Sequence, residues 1–154
     1  AYLVRTYLSH LYYGAKKVFW YEMADEPFGP NNPESFFGIL RFNESLSVKP
    51  SAVAFSNMVN NYRHAIPVGK YVGQSYGFAY DNQGKNQLCL WTEEETLYLP
   101  NTKKVNVIDI FGRVQQLKVL NGKVVITIGY LPITITGFDQ DDFTGLYTPR
   151  KVVK

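Results

Sequence analysis

The sequence predicts an α+β chain, with helical periodicity confined to its first part and short antiparallel strands filling most of the rest. Three observations carry this. Apolar residues recur at spacings of three and four from Ala1 to Gly14 and again from Pro50 to Arg63. After Ala65 that period disappears, and short apolar runs alternate with turn residues. Between two of these runs stands Asn121-Gly122, a two-residue turn whose positions both need positive φ, a strong signal for a hairpin.

Composition narrows the class. At 154 residues, with 45% hydrophobic and 19% charged, the chain suits a globular protein with one good core or two small ones. Aromatic residues make up 16%, and they serve strands, interfaces and sugar-stacking platforms alike, core packing being the commonest use. The net charge is only +3 and the lysines are scattered, so no nucleic-acid partner is expected. No apolar run approaches the ~20 residues of a membrane span, so no membrane partner is expected either. Cys89 is the single cysteine, inside an apolar run, and is expected to pack as a small hydrophobe. The chain opens at Ala1, inside a periodic helix, which points to a piece of a longer gene product.

Leu3, Val4, Tyr7, Leu8, Leu11 and Tyr12 give the first helix one apolar face, and Gly14 ends it. His10 has no second histidine at metal-ligand spacing, so it reads as a surface or satisfied side chain. Lys16–Pro27, KKVFWYEMADEP, then runs from two lysines through apolar and aromatic residues into Glu22, Asp25 and Glu26. It predicts a buried strand that delivers aromatics and carboxylates to a rim. With a helix on each side, the first 65 residues read as an α/β unit. A loop rich in Pro, Asn and Gly leads to an extended segment, Phe36–Phe42, and Lys49-Pro50 opens the second helix. Asn43-Glu44-Ser45 matches a glycosylation sequon, meaningful in a secreted eukaryotic protein.

Pro67, Gly69, Gly73 and Gly77 read as a connection. Strands are expected at Gln87–Trp91, Thr96–Leu99, Val105–Ile110, Gln115–Leu120, Lys123–Ile128 and Pro132–Thr136. The Asn121-Gly122 turn would pair Leu120 with Lys123, Val119 with Val124 and Leu117 with Ile126. Residues 138–154 start acidic (Asp139, Asp141, Asp142) and end basic (Arg150, Lys151, Lys154), and are expected to form a solvated tail. The aspartate spacing fits no calcium loop.

Three carboxylates at the end of a buried strand invite a glycosidase reading, since retaining and inverting mechanisms need carboxyl pairs ~5 to 5.5 Å and ~6.5 to 9.5 Å apart. Local geometry opposes a pair made here. In a strand Glu22 and Asp25 point to opposite faces, while Glu22 and Glu26 share a face about 13 Å apart. Trp20 and Tyr21 suit sugar stacking, and either also suits a core. No other catalytic or cofactor motif is present: there is no GxSxG, P-loop, dinucleotide glycine pattern or His/Cys cluster.

The ordered set YLxRxYLxxLxxGxKKVFWYEMADEP, then FFGILRFNESLSVKPSAVAFSNMV, resembles the close of the catalytic barrel in clan A glycoside hydrolases, chiefly the cellulase-like and xylosidase-like members. The matching positions are Phe19–Asp25, Phe37–Arg41 and Lys49–Ala52. LWTEEETLYLP and VIDIFGRVQQLKVLNGKVVITIGYLPITITG are similar to the β-sandwich often appended to such barrels, and the resemblance covers most of residues 1–137. It implies an α+β fragment: the last strand and flanking helices of a (β/α)8 barrel in residues 1–65, a small antiparallel β-sandwich in 66–137, and a tail in 138–154. A whole barrel takes eight strands and about 250 residues, of which this chain supplies one strand or two.

The resemblance therefore places both catalytic glutamates upstream of Ala1, with no catalytic residue, metal ligand or cofactor in this chain, which alone is expected to be inactive. Trp20 or Tyr21 would be a sugar platform, with Glu22 and Asp25 at the rim or behind it, which makes these four the substrate-binding candidates for a carbohydrate partner. Residues 1–65 would leave apolar faces and a strand edge open, so they call for the rest of the barrel or for self-association. A monomer with Phe19–Tyr21 in solvent would count against this reading. The competing reading is a non-catalytic β-sandwich module that binds carbohydrate or protein. It calls for an exposed planar row of aromatics drawn from Tyr71, Tyr76, Tyr80, Trp91 and Tyr98.

Overall fold

The computed structural model describes residues 1–151; Lys154, at the basic end of the expected tail, lies outside them. The two helices form as expected: α1 spans Tyr2–Tyr12 and α2 spans Pro50–Tyr62, with Pro50 in the first turn where its missing N–H costs nothing. A short 3-10 turn, Pro33–Phe36, is capped by the Asn32 side chain, which accepts from the Glu34 amide at 3.0 Å. No helix among the described residues is long and apolar enough to cross a membrane.

From Ala65 the chain builds β1 (Ala65–Tyr71), β2 (Tyr76–Asn82), β3 (Lys85–Trp91), β4 (Glu95–Tyr98), β5 (Lys104–Ile108), β6 (Val114–Lys118), β7 (Lys123–Ile126) and β8 (Ile133–Thr136). Helix α3 (Gln140–Thr144) and β9 (Tyr147–Pro149) come last. Seven strands make one antiparallel sheet in the order β6-β5-β8-β3-β2-β1-β9, and β4 and β7 make a two-stranded sheet. The fold is α+β, with one dominant sheet and a small second one instead of two comparable sheets.

The centre of the large sheet, β2 and β3, is buried on both faces. On one side Leu8 of α1 and Met58 of α2 meet Phe78, Tyr80, Cys89 and Trp91. On the other, Leu97 and Val124 of the small sheet and Phe143 of α3 meet Ala79, Leu88, Leu90 and Ile135. Each fully buried Leu or Phe of this kind contributes about 2 kcal/mol. Two tyrosines bolt the helices down: the Tyr80 hydroxyl donates to the Leu8 carbonyl at 2.9 Å, and the Tyr62 hydroxyl meets Thr134 Oγ1 at 2.7 Å.

Several expectations change. The run Lys16–Met23 forms no strand, with bends at Lys16, Tyr21 and Met23; next to it, Ala24 and Leu40 form an isolated parallel bridge. It is also not buried: Phe19 is 87% exposed, and Tyr21 and Met23 point outward with it. Its apolar character therefore reflects an open face rather than a core strand. Residues 65–77, expected as a connection, form β1 and the start of β2, and the register shift between Pro67 and Gly69 accommodates the proline as a bulge.

The turn at Asn121-Gly122 has both residues at positive φ, 51° and 71°, and Leu120 and Lys123 exchange backbone hydrogen bonds across it. Beyond that pair the hairpin does not continue. Leu117 pairs with Val105, and Val124 pairs with Leu97, so the turn carries the chain from one sheet to the other. Val124 and Ile126 still reach the core, with Leu117 and Val119 packed against it, because alternation sets their face whichever strand lies beside them.

Residues 138–151 include packed structure rather than a solvated tail. Asp139 caps α3, and Asp142 is buried, accepting from the Thr102 amide and hydroxyl at 2.7 Å each and from the Asn101 amide at 3.1 Å. Strand β9 pairs with β1, and the Arg150 guanidinium lies over the Tyr12 ring.

Two measurements test this architecture. Asp142→Ala removes the acceptor for buried amide and hydroxyl donors and is expected to cost about 3 kcal/mol, which thermal unfolding would show as a Tm lower by about 9 °C. Cys89 is buried and its thiol is pushed up to about 12 by desolvation. A disulfide-exchange reagent at neutral pH is expected to modify it only after the chain is unfolded.

Candidate functional site

The region between α1 and α2, residues 15–49, is the largest stretch with little regular structure. Backbone hydrogen bonds nevertheless define its course. Ile39 and Leu40 donate to the Met23 carbonyl at 3.1 and 3.0 Å, and Asp25 donates to the Leu40 carbonyl at 3.0 Å, laying Met23–Asp25 beside Ile39–Leu40. Gly38 makes this approach feasible, since a Cβ there would stand 2.1 Å from the Asp25 nitrogen. The Tyr21–Glu22 peptide is cis.

The four candidate residues separate into different roles. Trp20 is half-buried; its Nε1 donates to the Phe37 carbonyl at 3.2 Å, and its ring lines an apolar cleft of about 250 Å³ with Leu3, Tyr7, Ile39 and Phe55. Tyr21 is open to solvent. The Asp25 carboxylate is engaged internally: its Oδ1 accepts from the Gly38 amide at 3.0 Å and from Lys49 Nζ at 2.7 Å. Lys49 also donates to the Phe36 carbonyl at 3.0 Å, so this ion pair ties the loop to the start of α2.

Glu22 lines the apolar cleft, and its Oε1 is enclosed without a hydrogen-bond partner. Desolvation raises its pKa above the ordinary glutamate range, and the neighbouring Glu26 carboxyl raises it further. The strand geometry that would separate Glu22 from Glu26 by about 13 Å does not hold, because the chain bends at Met23, and the Glu26 charge acts on Glu22. The Glu34 charge adds to it. Tyr21 is held above its usual value first by Glu22, then by desolvation and by the Glu34 and Glu26 charges. Glu34 carried no signal in the sequence, since it enters through the 3-10 turn. Asp25 is thus assigned to a scaffold contact, while the charges of Glu26 and Glu34 act on Tyr21 and Glu22.

Other candidates fall away from chemistry. His10 Nδ1 donates to the Thr6 carbonyl at 2.7 Å, and among the described residues no three His, Cys, Asp or Glu side chains are grouped to hold a metal ion. Of the proposed aromatic row, Tyr71, Tyr80 and Trp91 are buried, and only Tyr98 and Tyr76 reach the surface. A planar platform on the sheets is absent among the described residues.

No family model and no curated protein matches the chain. A solved structure described as a family 39 glycoside hydrolase from the gut symbiont Bacteroides cellulosilyticus WH2 superposes on it with a TM-score of 0.75 and 28% sequence identity. The match covers 88% of this chain and 29% of that one, so the chain spans less than a third of that protein's length. In structure, and at 28% identity in sequence, the chain is similar to one part of a family 39 glycoside hydrolase.

Proposed function

We propose that the chain is the C-terminal portion of a clan A glycoside hydrolase, cellulase-like or xylosidase-like, that cleaves O-glycosidic bonds of a poly- or oligosaccharide. The carrying observation is the superposition on a family 39 glycoside hydrolase over 88% of the chain. In this reading residues 1–65 close a (β/α)8 barrel whose catalytic glutamates lie upstream. Residues from 66 onward form the appended β-domain, with α3 and β9 as part of it. Trp20 and Tyr21 serve as sugar platform, Glu22 lies at the cleft, and Asp25 holds the rim in shape.

The surface of residues 1–65 supports the reading. Phe19, Tyr21, Met23, Phe28 and Phe42 are all more than half exposed, a concentration of apolar surface that a lone domain rarely presents. Phe19 and Tyr21 lie in solvent in the single chain, so the reading requires a covering polypeptide or a second copy, and a chain that stays monomeric in solution counts against it. Polar groups nearby are also unmatched: Arg5 Nε and Ser51 Oγ are enclosed without partners. Buried polar atoms of this kind cost roughly 1–3 kcal/mol each when unpaired. The remainder of the barrel is the occupant this surface fits, with a second copy of the chain as the alternative outcome.

The chain fused to the polypeptide encoded upstream of it is expected to hydrolyse an aryl β-xyloside or β-glucoside, and the chain alone to stay at background. Activity in the chain alone, or none in the fusion, would sink the proposal. Within an active fusion, Tyr21→Ala is expected to lower kcat/KM by about tenfold through lost stacking. Glu22→Gln tests the carboxyl in the chain alone. Because the folded-state pKa of Glu22 is raised, its favourable contribution is complete below the ordinary glutamate range and is lost as pH rises through the raised value. The variant should therefore melt higher than the parent near pH 7, with the difference shrinking toward about pH 4.

A further inference from the structure

At the opposite end of α2 from Lys49, the helix stops at Tyr62 while the sheet beneath it continues. The sheet face there changes character. Under the helices it is apolar, with Phe78, Cys89 and Trp91; beyond them it becomes a row of neutral polar side chains. Gln87 of β3 stands opposite Thr136 of β8, Thr136 opposite Asn106 of β5, and Asn106 opposite Gln116 of β6. Directly opposed residues share a face, so these four form one transverse ladder about 14 Å long at the usual strand spacing. Asn61 from α2 and Asn82 from β2 flank it. Gln87, Thr136 and Asn106 of the ladder, with Asn61 and Asn82, line a groove of about 540 Å³ in which Lys85 is the single charged lining residue.

Gln87 is the anomaly. It is 4% exposed, and its side-chain oxygen is enclosed with no hydrogen-bond partner. Turning the carboxamide over would leave an NH2 in the same position, so a polar group in need of a partner remains either way. Its neighbours are only partly spent. Asn82 Nδ2 donates to the Asn61 carbonyl at 2.7 Å, and Gln116 Nε2 donates to Asn106 Oδ1 at 3.0 Å. These bonds leave Asn82 Oδ1 and Asn106 Nδ2 available.

We propose that this groove binds a neutral oligosaccharide across the strands. Carboxamides offer donors and acceptors side by side, which matches hydroxyls that both donate and accept. A groove without carboxylates and with one lysine suits neither a cation nor a polyanion. Ile108 and Phe138 provide apolar surface for the C–H faces of sugar rings. The site does not rest on the hydrolase reading, which is tested by hydrolysis in the fusion and survives if this groove stays empty.

The test is an NMR titration of the 154-residue chain, following side-chain amide signals during addition of xylohexaose, cellohexaose or maltohexaose, with hexagalacturonate as the charged comparator. Saturable shifts at Gln87, Asn82 and Asn106 are expected with at least one neutral sugar, and not with the charged one. Gln87→Leu should weaken that binding roughly tenfold or more while melting no lower than the parent, because it removes an unpaired buried polar atom. Asn106→Ala should weaken it as well. The proposal is overturned if no neutral sugar gives saturable shifts, as for a groove that holds only water. It is equally overturned if the shifts fall only around Trp20 and Tyr21, or if Gln87→Leu binds as the parent does.

Discussion

Burial of β2 and β3 on both faces is the constraint on which the rest of the arrangement depends. Phe78, Ala79 and Tyr80, and every residue from Gln87 to Trp91, are almost wholly removed from water. A sheet covered on one side alone would leave either Phe78, Cys89 and Trp91 or Ala79, Leu88 and Leu90 in solvent. The two helices and the small sheet with α3 are therefore both needed, and each must be fastened. Tyr80 and Tyr62 fasten the helical side, while Asp142 fastens the other through Asn101 and Thr102. Glu95 does similar work at the sheet's end, accepting from the Ser75 amide at 2.8 Å and holding the β1–β2 turn against β4.

Residues 15–49 obey a different rule. They lack a core of their own and are shaped by polar anchors: Asp25 with Gly38 and Lys49, and Trp20 with the Phe37 carbonyl. This leaves their aromatics turned outward beside a cluster of carboxyls. Such a surface has specificity in its geometry but little stability of its own, which is how rims of binding clefts are commonly built.

The legibility of the fold divides along the same line. Both helices were readable because each buries one stripe, and the Gln87–Trp91 strand because a doubly buried strand is nearly continuously apolar. The same logic misread Lys16–Met23: an apolar run signals burial, yet here Phe19, Tyr21 and Met23 stay in solvent. Strands β1 and β2 were hidden by Pro67 and by glycines that look like linker residues until the bulge and the close packing are seen. The Asn121-Gly122 turn was legible as a turn, but turn chemistry fixes only the first pair, and Leu97 and Val105 capture the residues on either side of it. At the candidate site the residue types were legible and their convergence was not. Glu26 follows a bend at Met23 and Glu34 sits in a 3-10 turn, neither of which has a periodic signature.

The pairing of β9 with β1 also bears on the order in which the molecule can form. Tyr147–Pro149 cover the edge of the sheet opened by the strand that comes directly after α2, and Phe143 and Leu146 complete the core on that side. During synthesis the β1 edge and half of the core therefore wait for residues made almost eighty positions later. Until those residues leave the ribosome, the nascent chain carries an unpaired strand edge and an open apolar layer, the features that chaperones recognise and that favour aggregation.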